Sequence, residues 1–104
     1  MKHKDLFNLL KSVNIPVAYD HFEDNKNLVP PFMAYRDLPA DFFKADNKNY
    51  FLERHFEIEL VTSKKDFELE ELIEELFNKN NILFDKNDEV WDKEEKIYHI
   101  FYEI

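Results

Sequence analysis

"FEIELVTSKKDFELEELIEELF", residues 56 to 77, changes period in its middle, and that change decides the fold. In its first part Phe56, Ile58, Leu60 and Thr62 alternate with Glu57, Glu59 and Val61, the period of two that a strand with one buried face requires. In its second part Leu69, Leu72, Ile73, Leu76 and Phe77 recur at helical spacing, with Glu68, Glu70, Glu71, Glu74 and Glu75 between them. "SKKD" at 63 to 66 marks the junction with the spacing of a capping box, and Asp66 is itself a suitable N-cap. A strand therefore hands over to a helix that starts near Phe67 and ends in the Asn-rich stretch near residue 79.

On the N-terminal side, residues 4 to 13 place Leu6, Leu9, Leu10 and Val13 on one helical face, and Pro16 prevents continuation. Residues 16 to 22 read as a strand. A second runs from about residue 31 to 37, with Pro30 and Pro31 at its entrance; neither has a backbone donor, which suits a position near a sheet edge. On the C-terminal side two strands, about 82 to 91 and 96 to 104, are joined by "DKEE" at 92 to 95. In the second, Tyr98, Ile100, Tyr102 and Ile104 share a face, yet Ile97 and Phe101 make the other face partly apolar too. That pattern fits either a central strand covered on both faces or a surface reserved for a partner. The order α-β-β-β-α-β-β implies an α+β fold, two helices packed on a largely antiparallel sheet of about five strands, in one domain over residues 1 to 104.

Glycine is absent, so turns that need positive φ fall to Asn and Asp, which cluster at 24 to 27, 46 to 49, 78 to 81 and 85 to 88. These clusters are expected to punctuate the chain. The formal charge of -9, from 23 acidic and 14 basic residues, argues against binding nucleic acid through its phosphates. Cysteine is absent too, which excludes disulfides, a thiolate nucleophile and cysteine-held zinc. The first apolar run is broken by Asn8 and Lys11, so neither a secretory leader nor a membrane span is expected, and the chain reads as soluble and intracellular.

Candidate chemistry is sparse. The histidines His3, His21, His55 and His99 are scattered, outside any metal-ligand spacing, and no phosphate-binding glycine loop is possible. Ser12 and Ser63 lie outside any nucleophile elbow. Carboxylate pairs such as Asp41 with Asp46, or Glu57 with Glu59, arise from composition alone among so many acids. No catalytic residue, metal or cofactor is therefore assigned. Glu70, Glu71, Glu74 and Glu75 form an acidic helix face expected to meet solvent. In "LPADFFKADNKNYF", residues 38 to 51, Phe42, Phe43, Tyr50 and Phe51 crowd a polar connection around Asp46, more aromatic surface than a small domain readily hides. With Trp91, which ends a strand, they form the expected interface.

Taken together, "IPVAYDHF" at 15 to 22, "PPFMAYR" at 30 to 36, "FFKADNKNY" at 42 to 50, the stretch at 56 to 77 and "IYHIFYEI" at 97 to 104 resemble a family of small tail-completion proteins. These come from siphophages and prophages of low-GC Gram-positive bacteria and are related in role to tail terminators. The resemblance runs through nearly the whole chain. It implies a non-enzymatic structural protein that forms a homo-oligomeric ring, a hexamer, on the last ring of the major tail tube protein and meets the head-completion or connector protein. DNA would pass through the lumen without specific binding, an acidic lumen discouraging adhesion. The implied location is the virion tail or neck, with the host cytoplasm during assembly. The alternative drawn from the charge and the Glu-rich helix is an acidic DNA mimic that inhibits a host nucleic-acid enzyme.

Overall fold

The computed structural model describes residues 2 to 23, 28 to 38 and 55 to 104. Its elements are α1 (His3–Lys11), β1 (Val17–Tyr19), β2 (Phe32–Leu38), β3 (His55–Thr62), α2 (Phe67–Lys79), β4 (Asp85–Asp92) and β5 (Ile97–Glu103). The strands form one sheet in the order β1-β2-β3-β5-β4. β1 runs parallel to β2, and every other pairing is antiparallel. This is the α+β arrangement that the change of period at residues 56 to 77 implies.

Both helices pack on one face of the sheet. The register aligns Met33 with Leu60 and Tyr35 with Ile58, then Leu60 with Ile100 and Ile58 with Tyr102, so the apolar residues of three strands share a face. Leu6 and Leu10 of α1, with Ile73 and Phe77 of α2, close over them, and all are fully buried. α1 is tied to the sheet through His3, whose Nε2 shares a 2.6 Å hydrogen bond with Tyr35 Oη and whose ring stacks on the Tyr35 ring. α2 is tied through Phe77, in edge contact with Tyr102 and tilted against Phe84.

Asp66 is the N-cap of α2: its Oδ1 accepts from the Leu69 amide at 3.0 Å, satisfying one of the orphan donors of the first turn. Asp66→Ala is expected to cost about 1 kcal/mol in chemical denaturation, with an unchanged m-value.

Four expectations need correction. The Pro30–Pro31 strand is not at a sheet edge; β2 lies between β1 and β3, and its ladder starts at Phe32, just beyond the two missing donors. The first strand is shorter than 16 to 22, because Asp20 adopts φ 63° and turns the chain out of the ladder after Tyr19. The Asn/Asp cluster at 85 to 88 is no turn: it opens β4, where a bulge between Lys86 and Asp88 takes up the extra residue. The cluster at 78 to 81 does act as expected, Asn81 taking φ 57° just past α2. The clusters at 24 to 27 and 46 to 49 lie outside the described residues.

The fourth correction concerns α2, which is rotated from the face that apolar spacing suggests. Leu72 is 50% exposed while Glu70 is 2% exposed, so the buried line runs through Glu70, Ile73 and Phe77. The reason lies on β4, where Lys86 waits opposite the helix.

Candidate functional site

Three charged or aromatic surfaces are built on this frame. Between α2 and the sheet, the Glu70 carboxylate lies 2.9 Å from Lys65 Nζ and 2.5 Å from Lys86 Nζ. Lys86 also reaches Glu74 Oε2 at 3.2 Å, and Lys65 bonds Glu89 of β4. Tyr102, fully buried near the C-terminal end of β5, donates from Oη to Glu74 Oε2 at 2.7 Å. Burial pushes the Glu70 carboxyl up, but the bonds to Lys86 and Lys65 outweigh it and hold the group below the usual carboxylate range. Burial, followed by the bond to Glu74, raises the Tyr102 phenol far above its ordinary value. The cluster fastens α2 to β4 and β5 by charge.

The opposite face of the sheet carries no helix among the described residues. There Arg36 Nε donates to Glu57 Oε1 at 3.0 Å across the β2–β3 pair, and His99 Nδ1 lies 2.6 Å from Glu59 Oε2. Asp20, Ala34, Tyr35, Arg36, Glu57 and Glu59 line a shallow cleft of about 150 Å³. Nearby, Glu57, Glu103 and Asp85 stand in one row across β3, β5 and β4, like charges directly opposite one another. Asn87 Nδ2 relieves part of that by donating to Glu103. Among the described residues no group of three or more His, Asp or Glu is placed to hold a metal, and Ser12 Oγ is engaged with the Leu9 carbonyl.

The third surface is the outer edge of β4. Its residues from Asp85 to Trp91 are all exposed. Trp91 is 46% exposed and its ring centroid lies 4.5 Å from that of Tyr98. The aromatic pair closes the end of the sheet where the β4–β5 turn begins, with Asp92 Oδ1 accepting from the Glu94 and Glu95 amides.

Of the residues singled out from sequence, Phe42, Phe43, Asp46, Tyr50 and Phe51 lie outside the described residues. Trp91 is half-exposed at the surface. The acidic helix face divides: Glu71 and Glu75 are exposed, Glu74 is half-buried, and Glu70 is buried, which corrects its placement toward solvent. Sequence reasoning missed Lys65, Lys86, Arg36 and His99. Arg36, Lys86 and His99 gain their roles from partners distant in the chain, whereas Lys65 reaches Glu70, five residues on, as well as the distant Glu89. The one available signal was Lys86, a lone base in the acidic strand "DKNDEVWD".

No family model, no curated protein and no solved structure matches this chain. No helix among the described residues is long and apolar enough to cross a membrane.

Proposed function

We propose that this chain is a non-enzymatic assembly protein of a phage tail or neck. It joins copies of itself into a ring that completes or terminates the tail tube and meets the head-side connector. The hexameric count, the tube protein and the connector as partners, and the location in the virion come from the sequence resemblance described above.

One observation carries the reading toward assembly. Leu38 and His55 are direct partners at the end of the β2–β3 ladder, so the sheet itself needs only a hairpin turn there, for which about 2 to 5 residues suffice. The chain instead inserts residues 39 to 54, which contain Phe42, Phe43, Tyr50 and Phe51. A connection longer than the fold demands and rich in the side chains that interfaces favour supports a role in contacting another chain. The exposed Trp91 adds a second aromatic anchor.

Light scattering and negative-stain images at high protein concentration, with and without tail-tube protein, test the reading. Closed rings or capped tubes are expected; a strict monomer that leaves tubes growing overturns it. Phe42→Ser with Phe43→Ser is expected to reduce assembly by about tenfold or more while shifting Tm by only a few degrees. A collapse of Tm would instead assign those rings to the domain's own core.

A further inference from the structure

β4 is the last strand of the sheet, and among the described residues β5 is its one strand neighbour. A solvent-facing edge presents backbone donors and acceptors to any extended chain that can lie beside it. The opposite edge, β1, spans Val17–Tyr19 alone, whereas β4 spans eight residues and, past the bulge between Lys86 and Asp88, runs regularly to Asp92, with the Glu89 amide held by Asp88 Oδ1.

Two features restrict what can lie there. The strand carries Asp85, Asp88, Glu89 and Asp92 against one base, Lys86; Lys86 is drawn inward to Glu70 and Glu74 and Glu89 is paired with Lys65, which leaves Asp85, Asp88 and Asp92 as the acids of the edge. A second copy pairing β4 with β4 would set acid against acid, which is unfavourable. The same charge selects a basic strand. Val90 and Trp91, 43% and 46% exposed, are consecutive and so flank the edge from its two faces. An added strand would find an apolar side chain on each side of its backbone and carboxylates along its length.

We propose that the outer edge of β4 is a strand-addition site for an extended segment of another protein, rich in Lys or Arg and interleaved with small apolar residues. This goes beyond the assembly reading and does not rest on it. Main-chain bonds to the edge supply register, Trp91 and Val90 supply apolar contact, and the acids exclude both a second copy and any acidic segment.

The test is an NMR titration of the isotope-labelled full chain with a blocked peptide of alternating Lys and Val, about eight residues long. Two controls accompany it: the same peptide N-methylated at alternate residues, and an alternating Glu and Val peptide. Amide shifts concentrated in β4 and β5 and slowed exchange of β4 amides are expected. Affinity should fall about tenfold or more between about 0.05 and 0.5 M salt, and about tenfold in Trp91→Ser. Equal binding of the N-methylated peptide would overturn the proposal by showing attraction through charge alone. Shifts centred on Glu57, Glu59 and His99, binding by the acidic peptide, absence of binding by the basic one, or self-pairing through β4 would overturn it as well.

Discussion

Glu70→Ala lowers the stability of the domain by about 3 kcal/mol, a fall in Tm of about 12 °C or more for a chain of this size. The magnitude follows from what is left behind. Removing one partner of a buried ion pair strands the other charges, at a cost of about 3 to 5 kcal/mol. Lys65 and Lys86 retain 24% and 36% of their side-chain exposure, so both recover some hydration, and the lower end of that range applies. Glu71→Ala, one residue on and exposed, should stay within about 0.5 kcal/mol. Calorimetry on the two variants side by side decides the matter; equal effects would mean that the cluster contributes nothing.

The same cluster sets an acid dependence. Because the folded carboxyl of Glu70 lies below its ordinary value of 4.5, its contribution is complete above that pH and is lost as pH falls through the folded value. Glu70→Gln should therefore be less stable than the parent at neutral pH and should lose less on acidification below about pH 4.5. Parallel curves for the two proteins would remove Glu70 from the acid response.

Phe77→Ala is expected to cost about 3 to 5 kcal/mol, because it empties the junction of α2 with the sheet. Phe77 is fully buried, and its ring lies 5.4 Å from Phe84 and 5.8 Å from Tyr102, centroid to centroid. Tyr102 cannot shift into the space, being held by its bond to Glu74 and by the pairing of β5 with β3. Leu72→Ala, on the half-exposed side of the same helix, removes a similar class of side chain and should cost under about 1 kcal/mol. Urea midpoints for the pair measure the rotation of α2 directly. A larger loss for Leu72 would restore the face that spacing alone suggests.

How much of this was legible in the sequence differs by element. β3 reads correctly at Phe56, Ile58 and Leu60, which alternate against glutamates, whereas Val61, expected on the other face with the glutamates, is buried as well. α1 reads correctly for the same kind of reason, with Leu6 and Leu10 buried and Leu9 and Val13 packed beside them. α2 was found with its cap, but its orientation was not legible. Apolar spacing cannot foresee that a lysine on β4 and another at position 65 will draw a glutamate under the helix while a leucine is left outside. Pairing with both β3 and β4 makes β5 central in the sheet, while its second face, with Ile97 and Phe101 half-buried, carries no helix among the described residues, so the choice between a covered face and a partner surface stays open. On the open face, the contacts of Arg36 with Glu57 and of His99 with Glu59 arise from register across strands, which no local pattern encodes.

The sheet order β1-β2-β3-β5-β4 also bears on how the chain is made. No strand from beyond residue 55 lies between β1 and β2, and none from before it enters the β3-β5-β4 group. A growing polypeptide leaving the ribosome thus presents α1, β1 and β2 as a contiguous block while the β3-facing edge of β2, with Phe32, Met33 and Tyr35, has nothing to pair with. That edge is satisfied only when His55–Thr62 emerges. Through that interval the edge is open to other chains, a hazard that the finished fold conceals.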